Sequence, residues 1–115
     1  MISGLDHVQV AAPPGCEAEA RAFYGALLGL SEVPKPAELA ARGGVWFGFV
    51  HVGVSPDFVP AAKAHPALRV TELEVLADRL VEAGVEVRWD EAIPGVARFY
   101  ADDPWGNRLE FVGAD

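Results

Sequence analysis

Apolar and polar residues alternate in short runs along this chain, and the runs come in the same order twice. Leu5 to Val10 sets Val8 and Val10 on one face and His7 and Gln9 on the other, the pattern of a strand covered on one side. Pro13-Pro14-Gly15 ends that run. From about Glu17 to Leu28 the spacing is helical, with Ala22, Phe23, Ala26, Leu27 and Leu30 as the apolar stripe and Gly29 as a C-terminal cap. Ser31 to Val33 reads as a second strand stopped by Pro34-Lys35-Pro36. Ala37 to Arg42 reads as a helical turn before Gly43-Gly44, and Val45 to Val54 as strand.

The second pass begins at His65. His65 to Val70 is a strand with Leu68 and Val70 on one face and His65, Ala67 and Arg69 on the other. Thr71 and Glu74 have the spacing of a capping box, and a helix follows to about Ala83, with Leu73, Leu76, Ala77, Leu80 and Val81 inward and Gly84 as cap. Val85 to Trp89, Ala97 to Ala101 and Arg108 to Val112 supply three further strands. Asp103-Pro104-Trp105-Gly106 has the residue order of a type I turn.

Each half therefore predicts strand–helix–strand–strand–strand, an α+β fold of two βαβββ modules. Residues 1–54 form the first module, 55–64 a linker and 65–115 the second, together one domain. A sheet covered by a helix on one face leaves its other face free to line a cup. On strand parity His7, His51, His65 and Glu110 point into that cup, with Phe47, Phe49, Arg98 and Tyr100 beside them. Val8, Val50, Leu68, Phe99, Leu109 and Phe111 face the helices, as do Trp46 and Trp89.

Composition narrows the function classes. The 115 residues carry a formal charge of −8, with Lys and Arg scattered, which argues against a nucleic-acid partner. No apolar run approaches the roughly 20 residues of a membrane span, and no leader pattern opens the chain, so a cytoplasmic location is expected. Cys16 is the single cysteine. It excludes an internal disulfide or a multi-cysteine zinc site and reads as structural.

The candidate chemistry lies in a repeated pair. His7 recurs as His65 and His51 as Glu110 at nearly equal spacing, and these positions include all three histidines. Imidazole and carboxylate groups are the usual donors of a divalent-metal site with open positions. Each also has a structural alternative. An inward histidine serves as a hydrogen-bonded core residue, and Glu110 as the partner of Arg98 or Arg108 in a buried ion pair. Phe47 and Phe49 read as apolar walls of the cup.

Four stretches carry a family likeness: Leu5-Asp6-His7-Val8, Phe23-Tyr24 through Leu28-Gly29-Leu30, His65-Pro66-Ala67-Leu68, and Asp103-Pro104-Trp105-Gly106-Asn107-Arg108-Leu109-Glu110-Phe111. On these the chain resembles the vicinal oxygen chelate superfamily, which includes glyoxalase I, extradiol dioxygenases, fosfomycin resistance transferases and bleomycin resistance proteins. The resemblance implies metal ligands at His7, His65 and Glu110, with His51 where glyoxalase I-like members place a fourth. It implies substrate contacts at Tyr100 and Arg98, and a homodimer. The implied cofactor is a divalent ion, with Zn, Ni, Fe and Mn undistinguished, and the implied partner a small organic molecule.

The chain departs from the family in two places. Only ten residues, Val45 to Val54, stand where two strands and a hairpin are usual, with Gly48 as a candidate tight reversal. Asp90 and the stop at Asp115 leave no basic segment for a phosphonate, so fosfomycin modification is not expected. The leading expectation is a metal-dependent isomerase, lyase, dioxygenase or transferase. The alternative is a metal-free binding protein of the bleomycin resistance type.

Overall fold

Two glycines and a proline-rich loop divide the first half of the chain into elements that can fold back on one another. The computed structural model describes residues 1–114, and Asp115, the last residue of the predicted second module, lies outside them. The chain forms two compact units, Met1–Pro60 and Ala61–Asp115, and the division falls within the expected linker 55–64.

In the first unit β1 (Val8–Ala12) runs parallel to β3 (Val50–Val54), and β2 (Val45–Phe47) pairs with β3 antiparallel, in the order β1-β3-β2. Parallel neighbours need a crossover, and a helix supplies it. This helix starts as α1 (Glu17–Ala20) and continues as a π-helical run, Arg21–Leu27. Its wider turns bond residues five apart, as from Leu28 N–H to the Phe23 carbonyl, a feature that a 3.6-residue period does not reveal. Phe23 and Tyr24 are buried against the sheet, and Tyr24 stacks on Phe47 at 6.0 Å between centroids. The expected strand at Ser31–Val33 is reduced to one bridge, Val33 with Trp46, and the turn at Ala37 becomes α2 (Ala37–Ala40).

The ten residues Val45–Val54 hold two strands after all. Gly48 takes φ +60°, which L residues avoid, and reverses the chain so that Phe47 pairs with Val50 and Trp46 with His51. Paired residues share a face. Phe47 therefore joins Val50 and Val52 under the helix, and Trp46 joins His51 on the open side. The expectation that Phe47 lines a cup and Trp46 the core is reversed, because it treated 45–54 as one unbroken strand.

In the second unit β4 (Ala67–Val70) lies parallel to β7 (Arg108–Gly113), β6 (Arg98–Asp102) antiparallel to β7, and β5 (Arg88–Trp89) antiparallel to β6. The crossover helix α3 (Leu73–Glu82) buries Leu73, Leu76, Ala77 and Leu80. The sheet's covered face is Phe99, Ala101, Leu109 and Phe111, all fully buried, with Phe99 stacked on Phe111 at 4.9 Å. Val81, expected inward, is exposed, and so is half of Trp89. Glu72, not Thr71, caps α3 and no side-chain capping bond forms, so the capping box is not realised. Among the described residues no helix is long and apolar enough to cross a membrane.

The turn before β7 explains the most family-specific stretch of the sequence. Asp103 Oδ1 accepts the backbone N–H groups of Trp105 (3.0 Å) and Asn107 (2.9 Å), and Asp103 Oδ2 accepts the Asn107 side-chain amide at 2.8 Å. Asn107 Oδ1 in turn accepts the Ala61 N–H, and the Ala61 carbonyl accepts that of Arg108. Both polar side chains are buried, so the motif is a structural clamp that sets where β7 begins. Asn107→Ala removes the acceptor of the Ala61 N–H and one donor to Asp103 Oδ2; we expect a loss of about 2–4 kcal/mol in urea denaturation.

A carboxylate plays the corresponding part in the first unit. Glu17 Oε2 accepts the Gly44 N–H at 2.7 Å, and that bond holds the Glu17 carboxyl below the usual carboxylate range. A depressed acid contributes stability above its ordinary value and loses it as pH falls through the lowered one. Glu17→Gln should therefore destabilise by about 1 kcal/mol at neutral pH. Its gap from wild type should close in denaturation curves taken at progressively acid pH.

Candidate metal and ligand site

The open face of the second sheet collects its polar residues into one connected group. The register sets Ala67, Glu110, Tyr100 and Arg88 in a row across β4, β7, β6 and β5, with Arg98 two residues from Tyr100 on the same face. His65, just before β4, reaches this row. Its Nδ1 lies 2.8 Å from the Lys63 carbonyl and its Nε2 3.0 Å from Glu110 Oε1. A carbonyl oxygen only accepts, so Nδ1 carries the proton of that bond. Nε2 then turns its lone pair on a carboxylate oxygen, which also only accepts. His65 Nε2 and Glu110 Oε1 are thus in direct polar contact.

This donor set fits a divalent ion. One imidazole nitrogen and one carboxylate oxygen already converge, and the second imidazole nitrogen is anchored to a backbone carbonyl, as is usual for a ligating histidine. Both side chains are mostly buried, at 22% exposure for His65 and 13% for Glu110. Glu110 Oε2 is held by Arg98 Nη1 at 3.1 Å, leaving Oε1 for His65.

Arg98 is the hub of the group. Its Nη1 also donates to the Tyr100 hydroxyl at 2.8 Å, and its Nη2 to Asp90 Oδ1 at 2.8 Å. Nε is buried and has no partner among the described residues. The Tyr100 ring is pinned as well. The Arg108 guanidinium lies over it at 5.0 Å and the His65 ring meets its edge at 5.4 Å. Because the Tyr100 oxygen receives the Arg98 bond, its own proton is directed elsewhere. Asp90, read in the sequence only as a missing positive charge, is the second carboxylate of Arg98.

The first unit places His7 and His51 together in a different way. His51 is sandwiched between Trp46, 4.0 Å away and 7° from parallel, and His7 at 4.1 Å and 18°. Burial, and then the charge of His7, pushes the His51 imidazole below its ordinary value, so the ring favours its neutral form. His7 Nδ1 lies 2.8 Å from Asp6 Oδ2, and because a carboxylate oxygen only accepts, Nδ1 is the donor of that bond. Phe49 stands in the turn after Gly48, 56% exposed, and its carbonyl accepts the Val8 N–H. It forms no wall with Phe47, which lies under the helix. Within either unit, no three His, Cys, Asp or Glu side chains among the described residues gather as a metal cage.

Removing Arg98 leaves two carboxylates and a phenol without their shared donor. Arg98→Met should lower the melting temperature more than Glu110→Gln does. The double variant should lose less than the two single losses added together, a coupling that a double-mutant cycle by thermal denaturation measures.

Comparison with known proteins agrees with this fold. Residues 11–112 match the family described as glyoxalase-like domain. The chain is 51% identical to a protein of Bacillus anthracis assigned to the glyoxalase family, with a TM-score of 0.95, over 100% of this chain and 98% of that one. FosX of Listeria monocytogenes, a fosfomycin resistance protein, is 17% identical with a TM-score of 0.76, covering 100% and 96%. TnmS3 of Streptomyces sp. CB03234, an antibiotic binding protein, is 20% identical with a TM-score of 0.72, covering 99% and 98%. The last two share the fold alone. Among curated proteins none matches.

Proposed function

The chain belongs to the glyoxalase-like domain family of the vicinal oxygen chelate superfamily, and on that premise we propose a divalent-metal-dependent enzyme for a small organic substrate with adjacent oxygens. The observation that carries this reading is the approach of His65 Nε2 to Glu110 Oε1 at 3.0 Å, with the imidazole proton committed to the Lys63 carbonyl. His65 and Glu110 would hold the ion, with His7 as the further ligand and His51 as the fourth that the family resemblance implies. Zn, Ni, Fe and Mn all accept such nitrogen and oxygen donors. A bound ion supplies Lewis-acid stabilisation of an oxyanion on the substrate.

The chain's own residues do the rest. Arg98 fixes the Glu110 carboxylate through Oε2 and orients the Tyr100 hydroxyl. Tyr100, with its oxygen already accepting, donates its proton in a hydrogen bond to a substrate oxygen. Isomerase, lyase, dioxygenase and transferase chemistry all fall within this reading, and a homodimer is part of it.

A metal-free small-molecule-binding protein is the second reading. It is favoured by Arg98, which already pairs with both Glu110 and Asp90. Titration of the purified protein with Zn, Ni, Mn and Fe(II), followed by elemental analysis, separates the two. The metal reading expects one ion per chain. It further expects affinity at least about tenfold weaker in His65→Ala and Glu110→Gln, and weakened in His7→Ala. A wild-type protein that takes up no divalent ion in slight excess overturns it in favour of the binding reading.

A further inference from the structure

The first unit has a recess of its own, formed where the segment after Pro34 folds over the open face of its sheet. Gln9, Lys35, Leu39, Arg42, Trp46 and Gly53 line it, and its volume is about 230 Å³. That is below the roughly 300–1,000 Å³ of sites for drug-sized ligands, and suits a fragment of one ring.

Three features make it a shaped site. Its aromatic wall is rigid, because Trp46 is stacked on His51 at 4.0 Å and cannot turn without breaking that stack. Its floor depends on a missing side chain. A Cβ at Gly53 would fall 2.7–3.0 Å from the Gln9 carboxamide, so a larger residue there would push the Gln9 side chain from its present place beside β3. Its charge is one-sided, since two cations line it and no carboxylate does, in a chain of net charge −8. Lys35 Nζ is positioned by a hydrogen bond to the Gly43 carbonyl. Glu17, whose charge reaches Lys35, is engaged by the Gly44 N–H.

We infer that this recess binds a small planar carboxylate, its unsaturated face against the Trp46 indole and its charge met by Lys35 and Arg42. An indole face offers stacking area, two cations select an anion, and the Gln9 amide can donate to a carboxylate oxygen. The site uses neither His65 nor Glu110 and does not rest on the metal reading.

Benzoate and its uncharged isostere benzamide test it, by titration of the full chain under ¹H–¹⁵N correlation spectroscopy in EDTA. Benzoate should bind saturably with a Kd of about millimolar order, as expected for so small a ligand. It should shift the Trp46 indole N–H and the Gly43 and Gly53 amides. Benzamide should bind about tenfold more weakly or worse, and Lys35→Met with Arg42→Met should cost benzoate a similar factor. Gly53→Ala should weaken benzoate while leaving the Trp89 and Trp105 signals in place. His65→Ala should leave benzoate binding unchanged. Equal binding of benzamide, shifts that map to other residues, or no saturable benzoate binding each overturn the inference. So does benzoate binding that appears only when a divalent ion is added, a result that leaves the metal reading standing.

Discussion

Both units are organised by one constraint: a parallel pair of strands must be joined by a crossover, and the crossover helix covers one face of the sheet. Side chains alternate across the pleat, so apolar residues collect under the helix and everything charged is driven to the other side. In the second unit this puts Phe99, Ala101, Leu109 and Phe111 in the core and Arg98, Tyr100, Arg108 and Glu110 on the open face. In the first it puts Phe47, Val50 and Val52 under the helix and Trp46, His51 and Gln9 opposite. Within each unit the candidate site residues are thus a by-product of building a core, and their positions along that unit's sheet are as well determined as its strand register.

Register, in turn, depends on the turns. The buried Asp103–Asn107 clamp sets where β7 starts, and a slip of one residue there would exchange Glu110 for Leu109 on the open face. This gives the Asp103 to Asn107 stretch a physical reason that involves no chemistry at the site. Its residues do not touch a ligand in our reading. They determine which side of the sheet Glu110 occupies.

The second module was legible in the sequence because its strands are separated by an unmistakable turn and each alternates cleanly. His65, Arg98, Tyr100 and Glu110 are brought together as parity implied. The first module was less legible at one point, Gly48. Reading Val45–Val54 without a reversal keeps Phe47 in step with His51, whereas the hairpin puts them on opposite faces and brings Trp46 to His51 instead. A glycine alone does not announce a positive φ, since glycine is also tolerated within strands. The Lys63 carbonyl that fixes the His65 tautomer was invisible for a different reason: every residue has a carbonyl, and nothing in residue type says which one a ring will meet. The capping box failed because Thr71 stands one residue too early for the helix that tertiary packing selects.

The charges of the second unit's open face lead to a final step. Asp90 and Glu110 bring two negative charges to one guanidinium, so with a neutral imidazole the hydrogen-bonded group carries −1. A mostly enclosed group with an unbalanced charge is costly, and the approach of His65 Nε2 to Glu110 Oε1 is where the proposed metal reading adds positive charge. On that reading a divalent ion would bring the group to +1, an excess that a substrate anion, or an oxyanion formed during reaction, would cancel. Arg98 makes this possible by balancing one of the two carboxylates. Without it, even a divalent ion would only bring the group to neutrality, and no attraction for an oxyanion would remain.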